Sequence, residues 1–256
     1  MKIFSLPLVR YVLIAAVRDK LVVSLLLLLA LGSSISLFLG SASASERFQF
    51  SLVFAAGSLR IVSILGLALF IVFYIRRSFD SKDIEYLLTR PISRICFIFS
   101  HSFAFSILAA LFGVLVSVAI FSMGWSHLHS GYYLWSFSMI TELIIMANAA
   151  MFFAMVVPNA SAAALSVFAL YVLSRLVGQL LGIADSSILD YTFYAHLSSL
   201  MDVISLIIPR IDLMSQTSWL VYNGANIGYG FIALQGILYT LLLVYASLVD
   251  LVRRQF

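Results

Sequence analysis

Leu21 to Gly40 is a run of twenty residues without one charged side chain. A helix rising about 1.5 Å per residue needs roughly that many to cross about 30 Å of hydrocarbon. The run therefore reads as a membrane span, and comparable apolar runs recur along the chain. Hydrophobic residues make up 63% of the 256 residues and charged ones only 10%, with a mean hydropathy of +1.10. Soluble domains carry about a quarter charged residues, so this composition excludes one and predicts an integral, polytopic membrane protein of all-α class.

The pattern predicts one membrane domain, 1–256, with six spans at 21–40, 58–75, 95–124, 132–157, 162–183 and 231–252. Residues 1–20 set Lys2, Arg10, Arg18 and Lys20 beside Ile3, Phe4, Leu6, Val9, Leu13, Ile14 and Val17, with Pro7 near the start. That suits a helix lying along the cytoplasmic membrane surface. Arg10, Arg18, Asp19 and Lys20 also interrupt the apolar stretch, so no cleaved signal peptide is expected. Residues 41–57 are small, polar and aromatic, with Glu46 and Arg47 as their charges, and read as an outer loop. The third span is long enough to tilt or project. WSHLHSGYYLW after it has the aromatic belt of a membrane interface.

Pro158 and Asn159 predict a tight inner turn between the fourth and fifth spans. Residues 184–230 hold Asp185, Asp190, His196, Asp202, Arg210 and Asp212, too many charges for a simple span and too much apolar surface for disorder. Outer-leaflet or re-entrant helices, broken at Ile208-Pro209, are the expectation there.

The basic residues orient the spans. Placing both termini and the loop after the second span in the cytoplasm puts Lys2, Arg10, Arg18, Lys20, Arg76, Arg77, Lys82, Arg90, Arg94, Arg253 and Arg254 on that side. These are 11 of the 15 Lys and Arg residues, leaving Arg47, Arg60, Arg175 and Arg210. Six spans with both ends inside a cell inner (cytoplasmic) membrane satisfy the positive-inside bias. Because the positive charges are spread around membrane segments, the net charge of +4 does not predict a nucleic-acid partner.

Between the second and third spans lies FDSKDIEYLLTRPISR, Phe79 to Arg94, a strongly charged island. Asp80, Asp83 and Glu85 fall early and Arg90 and Arg94 late, as a helix dipole favours, while Ile84, Leu87 and Leu88 recur at helical spacing. The island predicts a short cytoplasmic amphipathic helix over 79–91, stopped by Pro91. Its apolar side suits the bilayer edge and its polar side a partner.

Chemistry-bearing residues are sparse. No G-x-x-x-x-G-K-[ST] loop, H-E-x-x-H pair or paired-cysteine metal pattern is present, and Cys96 is the single cysteine. His127 and His129 follow Met123, a set chemically suited to copper, yet two imidazoles alone make a poor site. An interfacial loop facing water is the simpler reading, so no metal site is expected. His101, inside the third span, is read as a packed histidine rather than a proton relay. Asp185, Asp190 and Asp202 are read as a solvated outer face. Gly32, Ser33, Ser34, Ser36 and Gly40 form a small-residue stripe that suits close helix contact, such as dimer packing.

Two intramembrane charges need partners. Glu142 lies ten residues in from Tyr132 and Arg175 eight short of Ile183, so antiparallel spans place them at similar depth. They are expected to pair, as a structural ion pair that sets span packing more than as a substrate contact.

Four stretches together resemble the permease subunit of an ABC transporter of the second exporter type. VRYVLIAAVRDKLVVSLLLLL resembles its amino-terminal connecting helix, with Arg10, Arg18 and Lys20. DIEYLLTRPISRICFIFSH resembles its coupling-helix region, and TELIIMANAAMFFAMVVPNASAAALSVFALYVLSRLVG its fourth and fifth spans. IIPRIDLMSQTSWLVYN resembles the segment before its last span, with Arg210 where Asn is common. The subgroup that comes nearest includes permeases linked to maturation of multicopper enzymes.

This resemblance implies a homodimer in the membrane, docked on two copies of a separate ABC ATPase that binds the ATP and Mg. The chain itself would hold no cofactor and would not be an enzyme. Asp83, Glu85, Leu87, Leu88, Arg90, Pro91 and Arg94 would form the ATPase-coupling surface. An outer-face or periplasmic partner and membrane lipid complete the expected contacts. The rival readings are a non-transporting membrane scaffold and an intramembrane enzyme; for the latter, Glu142, Arg175 and His101 supply no nucleophile beside a base.

Overall fold

A computed structural model describes residues 4–42, 47–81, 93–124, 131–184, 208–222 and 227–253. Among them are eight α-helices: α1 (Leu6–Arg18), α2 (Leu21–Ala42), α3 (Arg47–Asp80), α4 (Arg94–Gly124), α5 (Gly131–Val156), α6 (Ala160–Ala184), α7 (Ser218–Tyr222) and α8 (Tyr229–Arg253). A single 3-10 turn, Ile211–Leu213, precedes α7. Six of the helices, α2 to α6 and α8, are long and apolar enough to cross a bilayer, which makes the chain a multi-pass membrane protein.

Local chemistry sets several helix ends. Pro7 sits in the first turn of α1, where its missing N–H costs nothing. At the other end Lys20 adopts a left-handed φ of 57°, and the N–H groups of Asp19 and Lys20 close on the carbonyls of Ala15 and Val17 at 2.8 and 3.1 Å. The chain thereby turns from α1 into α2. At α6, the Asn159 side-chain oxygen accepts the Ser161 N–H at 2.8 Å and caps the helix that follows Pro158.

The structure corrects two sequence boundaries. Residues 47–57, read as outer loop, are the first turns of α3, which runs unbroken for 34 residues. Ser51, Leu52, Ala55, Ala56 and Leu59 are buried at helical spacing, a periodicity the flanking charges obscure. At about 51 Å, α3 exceeds the hydrocarbon thickness and must tilt or project. Phe79 and Asp80, assigned to the charged helix, instead end α3, where Asp80 meets Arg76 one turn back at 3.3 Å. Residues 82–92, with the remainder of that helix, lie outside the described residues.

Helix α5 stands at the centre, packed by α3, α4, α6 and α8. Its neighbours come close where a side chain is missing: Gly113 of α4 faces the Ile140 backbone and Gly236 of α8 faces Thr141. Helix α2 packs chiefly on α3, and α1 lies along α4 and touches α2. Gly32 abuts Leu59 of α3, and Ser36 is fully buried and donates to the Gly32 carbonyl at 2.7 Å. Part of the small-residue stripe of α2 therefore serves packing within the chain.

Candidate polar site within the bundle

Pro209 to Thr217 contains non-helical backbone wedged among the spans. Pro209, Ile211, Met214 and Ser215 are buried. Irregular backbone at membrane depth is tolerated only where protein satisfies its polar groups, and side chains from four spans do so. Arg175 of α6 donates from Nη1 to the Met214 carbonyl at 2.9 Å. Arg60 of α3 donates from Nη1 to the next carbonyl, Ser215, at 2.6 Å. Ser138 of α5 accepts the Ser215 N–H at 2.9 Å, and the Tyr239 hydroxyl of α8 donates to the Ile208 carbonyl at 3.1 Å.

Ser215 is the point where this clamp closes. Its φ of 48° is left-handed, a conformation that costs a residue with a side chain on the order of 1–2 kcal/mol. Bonds to both its N–H and its carbonyl hold it there.

Arg175 also joins this segment to the intramembrane carboxylate. Its Nη2 donates to both oxygens of Glu142, at 2.8 and 3.1 Å, and the Glu142 side chain is wholly buried against 19% exposure for Arg175. Glu142 lies fourteen residues before Val156 and Arg175 fifteen beyond Ala160, so both stand about 21–23 Å from the Pro158 turn. The Tyr171 ring, one turn before Arg175, lies 5.9 Å from its guanidinium. Arg210 and Asp212 pair within the segment, at 3.0 Å from both Nε and Nη2. The Asp212 carboxylate fits against Gly178 of α6, where a Cβ would occupy its place.

A second polar group joins α4 to α5 nearer the other side. Asn148, fully buried, accepts from Ser102 Oγ at 2.5 Å and donates to Ser106 Oγ at 3.1 Å and the Ile144 carbonyl at 2.9 Å. The first turns of α4 hold the two ends of the chain. Ser100 Oγ accepts the Ser5 N–H at 3.0 Å, Phe4 meets Phe103 edge-on, and Arg94 Nη1 donates to the carbonyls of Leu251 and Val252 at 2.9 and 3.0 Å. These carbonyls belong to the last turn of α8, which has no helical donors for them. His101 bonds the Phe97 carbonyl at 2.9 Å among aromatic rings, and Cys96 is buried as a thiol with its Sγ 3.9 Å from Ser100 Oγ.

Among the residues the sequence singled out, Glu142 and Arg175 are brought together. Arg10, Arg18 and Lys20 are exposed on and just after α1. Asp83, Glu85, Leu87, Leu88, Arg90 and Pro91 lie outside the described residues, as do His127, His129, Asp185, Asp190 and Asp202. Arg94 has a role inside the fold, as the donor to α8. Sequence reasoning missed Arg60, Ser138 and Tyr239 as clamps on 208–217. Arg60 stood out only as a basic residue outside the cytoplasmic set. Among the described residues no three His, Cys, Asp or Glu side chains gather into a metal-binding group.

No protein-family model matches this chain, and no curated protein matches it.

Proposed function

We propose that this chain is the permease subunit of an ABC transporter whose ATPase is a separate polypeptide. The observation that carries the reading is the seam between α1 and α4. Ser5 to Ser100 and Phe4 to Phe103 fix the basic amino-terminal helix beside the first turns of α4, and the charged stretch 79–94 leads into those same turns. The basic helix α1 is thus held at the end of α4 that follows the charged stretch in the sequence. Three acidic residues in 80–85 exceed what a topology anchor needs, since anchoring uses basic residues; they suit docking by charge complementarity.

In this reading two copies of the chain form the membrane unit and two ATPase subunits grip their charged loops. The nucleotide and its Mg stay with the ATPase. Helix α3 is continuous from the loop to Arg60, some 30 Å away, and would carry motion from the docking end to the clamped segment.

Co-purification from native membranes tests it. The tagged chain should bring down a P-loop ATPase, and the double reversal Asp83→Lys with Glu85→Lys should abolish that association while leaving the chain folded in the membrane. Arg94 is left intact because it holds α8. Capture of no ATPase by the wild-type chain, or full capture by the double variant, overturns the assignment.

A further inference from the structure

The clamped segment leaves donors to spare. Among the described residues, the buried polar atoms without a hydrogen-bond partner on the surrounding elements include Nε of Arg60, Nε of Arg175, Nε1 of Trp135, and Oγ of Ser63, Ser174 and Ser215. Ser63, Trp135, Ser174 and Ser215 are each at most 1% exposed. Helical spacing puts them on the faces that already hold the site. Arg60 and Ser63 are one turn apart on α3, Trp135, Ser138 and Glu142 recur on α5, and Tyr171, Ser174 and Arg175 share a face of α6.

Their chemistry is one-sided. The three nitrogens only donate, and the three hydroxyls can. Several acceptors around them already have a donor: both Glu142 oxygens take Arg175, and the carbonyls of Met214 and Ser215 take one arginine each. Charge leans the same way. Arg210 is matched by Asp212 and Arg175 by Glu142, while Arg60 donates to a neutral carbonyl. Unmatched cationic charge in a membrane-spanning bundle is costly and attracts an anion. Water would satisfy the hydroxyls but would not offset that charge.

We propose that the region bounded by α3, α5, α6 and residues 209–217 binds one anionic oxygen group, a carboxylate or phosphate, through Arg60 and Arg175. Glu142 is then an internal competitor that occupies half of the cationic capacity. The proposal does not rest on the transporter reading, because the chain alone contains every residue invoked.

The test uses the purified full-length chain in zwitterionic detergent, titrated with acetate or inorganic phosphate at constant ionic strength. Thermal unfolding and tryptophan fluorescence are followed. Wild type should show saturable stabilisation. Arg60→Gln should weaken the apparent affinity at least tenfold, and Glu142→Gln, which removes the competitor, should strengthen it at least tenfold. Should Arg60→Gln fail to fold, Arg60→Lys keeps the charge and should bind within a few-fold of wild type, while Glu142→Gln still carries the opposite-signed prediction. A parallel arm places the protein in phosphatidylcholine nanodiscs with and without phosphatidylglycerol. Stabilisation confined to that arm, and sensitive to Arg60, assigns the group to a lipid headgroup. Absence of a saturable effect in both arms overturns the proposal, as does an equal effect in wild type, Arg60→Gln and Glu142→Gln.

Discussion

Helices α2 and α5 have almost the same apolar character and opposite fates. Their most apolar windows have mean hydropathies of 2.2 and 1.9, yet 22% of the first and 72% of the second is buried. In water the apolar helix would be the buried one. In lipid the surroundings are as apolar as leucine, and burial gains little for a side chain that only avoids water. Helix α2 therefore leaves Val23, Leu26, Leu27, Leu28, Leu31 and Phe38 exposed. Helix α5 carries Ser138, Thr141, Glu142 and Asn148, whose polar atoms need protein partners, and Ala147, Ala149, Ala150 and Ala154, which let neighbouring backbones approach. Within this bundle, polarity and small size mark the centre.

Breaking the polar contacts of α5 should therefore cost most. Arg175→Met strips the wholly buried Glu142 of its ion-pair partner and releases the Met214 carbonyl. A loss of about 3–5 kcal/mol in unfolding free energy is expected, read by denaturant titration in mixed micelles. The double variant Glu142→Leu with Arg175→Met should recover much of it, because the unpaired charge is gone. If the two single losses simply added, the pair would not be an interacting unit.

Asn148→Ala comes next. It removes three hydrogen bonds among α4 and α5, all between neutral groups. Such bonds inside membranes average about 0.6 kcal/mol each in measured cycles, so a loss of about 1–2 kcal/mol is expected from the same titration. A loss equal to that of Arg175→Met would erase the distinction between charged and neutral contacts at the centre.

These contacts differ in how far the sequence announces them. Six long apolar runs reveal the six long helices, because hydrocarbon thickness fixes their length. The ends of α3 are hidden: Glu46 and Arg47 suggest a loop, while the inward spacing of Ser51, Leu52, Ala55 and Ala56 is diluted by exposed Phe50 and Phe54. Glu142 and Arg175 are legible as two costly charges at one depth, and their side chains meet at 2.8 Å. The Arg60 contact is different in kind. Its acceptor is the Ser215 backbone carbonyl, 155 residues away, and a carbonyl is present at every position. No residue type encodes it, so only the folded path of 208–217 brings it out.

The smallest effect belongs to the outer face of α2, and comparing two leucines on that helix gives it meaning. Leu25 is 1% exposed and its side chain fills the space over Gly66 of α3, whereas Leu27 is 61% exposed. Leu25→Ala should open a gap between the helices that lipid cannot fill and cost about 2 kcal/mol. Leu27→Ala exchanges one lipid-facing apolar surface for a smaller one and should stay within about 0.5 kcal/mol. Both are read in a monodisperse detergent preparation alongside its oligomeric state. If Leu27→Ala instead costs as much as Leu25→Ala and shifts the protein toward monomer, that face of α2 is covered by a second copy of the chain. Its exposure in a single chain would then mark a seam between two copies, and lipid would no longer be its solvent.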